Sequence, residues 1–379
     1  MELRPVLLSC ARTEGAKMIL SQRSCARHDR DGRYGRSRAI AAVVCLSLAL
    51  ASCASSARAD HDRGVRAASS ASRNSATTSG PSRTASANEP STPLPKPGDL
   101  APFGAPVAGE GAWRAAGRRV HGVPAVYETT LVPPGGSQPA GIAWMDMHLL
   151  AARLYSGSES PGGGPYRYTA PIERASARNL VAVFNGGFKM KDAQGGYYTE
   201  GRMVDALRLG AASMVIYDDG SVNVGAWGSD VNMTPPVVAV RQNLVPLVAR
   251  GRPTPQARSA RWQAWGSTCG ATSCAHSVPG IKHQWRSALG ITPDGALIYA
   301  QGPALDPLQL ALLLVRAGVV RGMELDINPD WPVFATYAPA SKHGLATPSN
   351  GHALTATVRG PGIFFERGWA RDFVTMSAR

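Results

Sequence analysis

From Asp306 to Trp331 the chain reads DPLQLALLLVRAGVVRGMELDINPDW, and this stretch restricts the architecture more than any other part of the sequence. Asp306 is suited to cap a helix, Pro307 to its first position, Leu308 to Val315 to its apolar body and Gly318 to its end, which predicts a helix over 307–317. A strand follows over 319–327. Side chains alternate along a strand, so Met323, Leu325 and Ile327 take one face while Glu324 and Asp326 share the other. Same-face residues two apart lie roughly 6.5 to 7 Å from one another at Cα, near enough for each acid to influence the other's protonation. Such a pair suits acid/base chemistry or a cation. Equally, either acid can serve as a structural partner of Arg321 or Arg286. Asn328, Pro329, Asp330 and Pro332 then break the strand, leaving the acids at its carboxyl end beside a loop.

At 379 residues the chain is long enough for two average domains, but its front end does not read as foldable. Arg33, Arg36 and Arg38 precede an apolar run, AIAAVVCLSLALA over 39–51, that is too short to span a bilayer comfortably, so residues 1–53 read as leader and signal peptide, with Met18 a second candidate start. Its end, Leu50-Ala51-Ser52-Cys53, resembles the bacterial lipobox, in which Cys53 is lipidated and anchors the protein to a membrane. Ala49-Leu50-Ala51 also fits ordinary cleavage, which gives a freely secreted protein. Residues 54–100, rich in Ser, Ala and Pro, are expected to be a disordered linker, and 101–379 one folded domain.

The formal charge is +14, or about +9 once residues 1–53 are set aside. Basicity alone admits nucleic acid, an acidic polymer or a membrane surface as partner. Arginines spread evenly, without a Lys/Arg cluster interleaved with aromatics, and an export signal argue against nucleic acid. Of six cysteines, Cys10, Cys25 and Cys45 fall in the leader and Cys53 is the lipid site. That leaves Cys269 and Cys274, expected in an oxidising compartment to close a small disulfide loop. A metal site built from them and His276 lacks an evident fourth ligand, so no metal ligands are assigned.

Strand-like runs occupy 123–132 and 141–155, with Asp146 read as an edge-strand acid. The loop SPGGGPY at 160–166 lacks the Gly-Lys-Ser/Thr of a phosphate loop. A buried-type strand over 179–184 enters Asn185-Gly186-Gly187-Phe188, where glycine permits a sharp turn and close approach of a ligand, and Asn185 can bond a sugar hydroxyl or a phosphate oxygen. A simple Asn-Gly turn accounts for the same residues. Lys189 and Lys191, two of only six lysines, stand just beyond and can meet an anion. Hairpins over 213–228 and 287–302 turn at Asp-Gly, which makes Asp218, Asp219 and Asp294 turn formers. Further strands are expected over 243–251 and 362–376, with His283 and Arg286 where the second hairpin begins. The pattern is α+β: a single domain of mixed, largely antiparallel strands with a few packed helices.

Strand-NGGF over 182–188, a hairpin, a P-L-V segment over 245–248, R-S-A-L-G with its hairpin over 286–295, and a helix leading to a strand with Leu325-Asp326 over 308–326 occur in one order. Together they resemble the phosphodiester glycosidase family, over about 120–376. The resemblance implies a hydrolase that cleaves the glycosidic bond of a sugar-1-phosphodiester, giving free sugar and a phosphomonoester. It implies Glu324 and Asp326 in carboxylate roles, Arg286 on the phosphate, and Asn185, Gly186, Gly187, His283 and Ser287 in substrate binding. Glu200 and Asp205 are reserve acids. Many members read L-D-G-G-G-S where this chain has Leu325-Asp326-Ile327-Asn328-Pro329-Asp330-Trp331. A glycine loop able to wrap phosphate through backbone N–H groups is therefore replaced by stiff, aromatic sequence.

No cofactor is expected, and a divalent cation is admissible. The partner is a glycosyl phosphodiester or cell-envelope glycan, and the location is the cell surface or periplasm. No G-x-S-x-G, H-E-x-x-H or Walker sequence occurs. The alternatives are a non-catalytic module binding anionic glycan and a metal-dependent phosphodiesterase holding its cation with Asp326, Glu324 and Asp330.

Overall fold

The helix Pro307–Arg316 forms where the sequence places it, and for the expected reason. Asp306 Oδ1 accepts from Gln309 N at 2.7 Å while Gln309 Oε1 accepts from Asp306 N at 3.0 Å, a reciprocal cap. Gly318, at φ +89°, turns the chain out of the helix. The computed structural model describes residues 92–234, 236–266, 282–341 and 343–379. Cys53, Cys269, Cys274, His276, the signal and residues 54–91 of the expected linker lie outside the described residues.

Among the described residues the strands form three sheets, and every pairing within them is antiparallel. The large sheet has eight strands in the order Arg114–Val120, Val123–Leu131, Ala140–Met145, Leu297–Leu305, Gln284–Ile291, Arg321–Glu324, Val248–Ala249, Arg252–Pro253. The second sheet has five, ordered Gly351–Ala353, Phe334–Tyr337, Leu180–Asn185, Phe373–Ala378, Leu150–Tyr155. The third also has five: Arg202–Asp205, Tyr197–Thr199, Val237–Gln242, Ala212–Tyr217, Val222–Ala226. With one ten-residue helix and three single-turn α-helices beside them, this is the expected α+β class with an antiparallel framework.

The three sheets share one core. Val126, Leu289, Tyr299 and Met323 of the large sheet meet Phe184, Phe334 and Val374 of the second and Met214, Val224 and Ala239 of the third. On the other face of the large sheet, Leu310, Leu313 and Leu314 of the long helix pack against Trp144, Ile298 and Ala300. Both faces are thus covered by apolar contact, which accounts for near-continuous apolar runs such as Ala140–Met145.

Both expected hairpins are present, turning at Gly220 (φ +78°) and Gly295 (φ +87°). Other strand boundaries differ, for a recurring reason. The run 141–155 is two strands in two sheets, because the Asp146 carboxylate accepts from His148 N at 2.8 Å and turns the chain. Asp146 is a buried turn former, not an edge-strand acid. The strand expected over 319–327 is Arg321–Glu324: the Asp326 carboxylate folds back onto Ile327 N (2.8 Å) and Asn328 N (3.1 Å), ending the ladder. Residues 243–251 give only Val248–Ala249, and 362–376 a short 3-10 turn, Pro361–Phe365, before the strand Phe373–Ala378. Residues 92–100, expected in the linker, lie on the domain: Leu94 N donates to Asp146 at 2.9 Å, and Trp113 donates from N to Asp99 and from Nε1 to Gly98 O.

Candidate active site

Strands of all three sheets end at one place. Asn185 closes Leu180–Asn185 of the second sheet; Asn243 follows Val237–Gln242 of the third; Glu324 to Asp326 end Arg321–Glu324 of the large sheet. The two asparagines bind these ends together. Asn185 Oδ1 accepts from Tyr299 (2.6 Å) and from Val333 N (3.2 Å), and its Nδ2 donates to Ser287 Oγ at 3.1 Å. Asn243 Nδ2 donates to the carbonyls of Glu324 and Leu325, both at 3.0 Å, and its Oδ1 accepts from Phe188 N at 2.9 Å. Ser287 fixes the backbone of Asp326: its N donates to Asp326 O at 2.8 Å, and its Oγ accepts from Asp326 N at 3.1 Å.

Asp326 therefore arrives at a fixed position, and it arrives charged-side first into a cavity. About 490 Å³ in volume, this cavity is walled by Phe188, Ile327 and Trp331 and carries Lys189, Lys191 and Arg371 beside Asp326 and Asp192. Arg371 Nη2 donates to Asp326 Oδ2 at 2.5 Å and to Gly187 O at 2.6 Å, and its guanidinium lies 4.9 Å from the centre of the Trp331 ring. Its Nε is buried without a hydrogen-bond partner among the described residues, and Nη1 makes no bond among them either. Burial pushes the Asp326 carboxyl up, against the Arg371 guanidinium and the two backbone N–H groups that favour its ionised form.

Glu324 and Arg286 stand apart from this cavity. They are both fully buried and pair with each other, Nη1 to Oε1 at 2.5 Å. Arg286 also donates to the carbonyls of Leu305 (2.9 Å), Trp265 (3.1 Å) and Lys282 (3.2 Å). Burial pushes Glu324 up to about 7, opposed by Arg286 and reinforced by the charge of Asp326, and its Oε2 has no partner among the described residues. Two acids placed on one strand face are thus divided: Asp326 lines the cavity, and Glu324 does not. The phosphate role expected of Arg286 falls on a fully buried side chain that gives four of its five N–H donors to protein groups and does not line the cavity.

No family model matches the chain, and no curated protein does. Among solved structures, the catalytic domain of zebrafish N-acetylglucosamine-1-phosphodiester alpha-N-acetylglucosaminidase, auto-inhibited by its pro-peptide, is similar at 17% identity and TM-score 0.42, over 70% of this chain and 88% of that one. A Synechocystis protein without an assigned function is similar at 11% identity and TM-score 0.38, over 69% of this chain and 64% of that one. A Burkholderia pseudomallei protein whose name describes it as exported gives 11% and 0.33, over 63% of this chain and 74% of that one. None of these assigns an activity to this chain.

The remaining expected site residues are placed as follows. His283 is half exposed, with Nε2 3.8 Å from Asp306 at the helix cap beside Lys282, and it does not line the cavity. Gly186 and Gly187 are kept small by protein packing. A Cβ on Gly186 would stand 2.0 Å from Asp372 Oδ2, and one on Gly187 2.7 Å from Asn243 Oδ1. The group they admit is a third buried pair, Arg241 Nε to Asp372 Oδ2 at 2.9 Å. Glu200 uses both oxygens on the backbone N–H groups of Arg167 and Tyr168, each at 3.0 Å, and Asp205 is exposed on a strand of the third sheet. Asp326, Glu324 and Asp330 do not gather into a cation site among the described residues. Sequence reasoning missed Arg371, Asn243 and the Arg241–Asp372 pair. Lys189 and Lys191, singled out only as scarce lysines after a turn, are in the cavity.

Proposed function

We propose that this chain is an exported hydrolase that cleaves the glycosidic bond of a sugar-1-phosphodiester, releasing free sugar and a phosphomonoester. The observation that carries the reading is the company of Asp326: a buried carboxylate facing a cavity of about 490 Å³ together with Arg371, Lys189 and Lys191. Such a site puts negative charge where an anomeric carbon becomes cationic and positive charge where a phosphate departs. Arg371 Nη1 and the two lysines bind the phosphate oxygens, while Nη2 keeps Asp326 ionised and oriented. Asp326 stabilises the oxocarbenium-like centre. A phosphomonoester leaves readily, so no strong acid need protonate it. Trp331 and Phe188 offer apolar walls for a sugar face.

In this reading Glu324 and Arg286 hold the end of the strand rather than substrate, as do Asn185 and Ser287. Export, with lipidation at Cys53 and a Cys269–Cys274 disulfide, belongs to the same proposal and rests on the sequence; intact mass of the mature protein reads all three. The activity is tested by incubating the protein with a panel of glycosyl-1-phosphodiesters and quantifying free sugar and phosphomonoester. Equal amounts of both are expected, with kcat lowered at least about 100-fold in Asp326→Asn. Tight binding of anionic glycan without product would favour the non-catalytic module instead.

A further inference from the structure

We propose that Glu159 biases this cavity against the dianionic phosphomonoester that the reaction releases, relative to the phosphodiester monoanion that it takes up. The proposal rests on the function proposed above. Glu159 belongs to the loop that precedes the glycine run at 162–164, and that loop is fastened to the segment leading into Arg371. Ser158 N donates to Trp369 O at 3.0 Å, Glu159 N to Ala370 O at 3.1 Å and Ser160 N to Ala370 O at 2.9 Å. The two backbones are pressed so closely that a Cβ on Gly157 would stand 2.4 Å from Ala370 O.

Glu159 is therefore positioned by main chain relative to Arg371, independently of any ion pair. From there its Oε2 comes within 3.7 Å of Lys189 Nζ, with Lys189 44% and Glu159 64% exposed. A pair this open contributes little to folding. Its consequence is for ligands.

The cavity is lined by Lys189, Lys191 and Arg371 against Asp192 and Asp326, an excess of one positive charge that Glu159, outside the lining but paired with Lys189, offsets. A phosphodiester carries one negative charge, while a phosphomonoester carries about 1.5 to 2 at pH 7. A carboxylate beside Lys189 opposes each added negative charge on the ligand in proportion, so it penalises product about 1.5 to 2 times as much, in free energy, as substrate. Release of product often limits turnover, and a site built this way hastens it.

The test uses two probes differing by one charge, phenyl phosphate and methyl phenyl phosphate, bound to the full chain and to Glu159→Gln by calorimetric titration at pH 7.5 and low salt. In the variant, affinity for phenyl phosphate is expected to rise three- to tenfold, and that for methyl phenyl phosphate by about the square root of that factor. Equal changes for the two probes, no change, or no binding of either to the wild-type protein each overturns the proposal. Turnover is measured separately. If the probes respond as expected while no glycosyl phosphodiester is cleaved, the charge selection stands and the glycosidase reading fails.

Discussion

Two side chains at the cavity differ in what their removal should do. Lys191 lines the cavity and makes no ion pair among the described residues, so Lys191→Ala removes the phosphate contact proposed for it and little else. A hydrogen bond to a charged group is worth about 1.5 to 3 kcal/mol, so KM should rise about tenfold or more in initial-rate measurements, with the thermal midpoint unchanged. Gly186→Ala should do the reverse. Its Cβ would meet the Asp372 carboxylate at 2.0 Å and displace it from Arg241, in a place that water does not reach. Breaking a buried pair costs about 3 to 5 kcal/mol, and denaturant unfolding should show a loss of that order. A variant as stable as the parent would mean that the glycines answer to a ligand after all. At this scale the sequence disclosed what local pattern can disclose. Asp326, Lys189 and Lys191 stand next to recognisable turns. Arg371 and Asp326 are 45 residues apart, and Arg241 and Asp372 are 131 apart, so no spacing announces either pair.

Among elements, the helix Pro307–Arg316 and the two hairpins were legible because each is decided within a few residues, by a cap or by an Asp-Gly turn. Strand ends were not, because Asp146 and Asp326 use their own carboxylates to stop a ladder whose apolar pattern continues. The meeting of the three strand ends was also invisible, since it depends on Asn243, one amide in a run that reads as an ordinary strand. Asn243→Ala should loosen that junction. It removes two donors to the carbonyls of Glu324 and Leu325 and the acceptor of Phe188 N, all buried, at about 1 kcal/mol or more for each group left unsatisfied. We expect a lower unfolding free energy together with a lower kcat. Lower stability with unchanged kcat would show that Asp326 does not need the third sheet to hold its position.

For the molecule as a whole, the antiparallel α+β character was legible from the density of hairpins, while the division of strands among three sheets around a common core was not. One consequence of that packing is a dependence on pH. Glu128, on Val123–Leu131 of the large sheet, faces the second sheet, with a long 3.4 Å bond from Thr336, and burial pushes it up to about 7. The folded protein then holds a proton that the unfolded chain releases near pH 4.5, so stability is greatest below that value and falls as pH rises through about 7. The loss is on the order of 2 kcal/mol after allowance for partial solvent access, and Glu128→Gln should remove that share in unfolding curves taken from pH 5 to 8, leaving the share of Glu324, which burial also pushes up to about 7. The central claim concerns which bond breaks, and products alone do not decide it: attack at phosphorus on the sugar side also yields free sugar and phosphomonoester. Hydrolysis in water enriched in oxygen-18, with mass analysis of both products, does decide it. Label at the anomeric oxygen of the sugar is the result expected of a glycosidase working through Asp326, and label in the phosphate would contradict it.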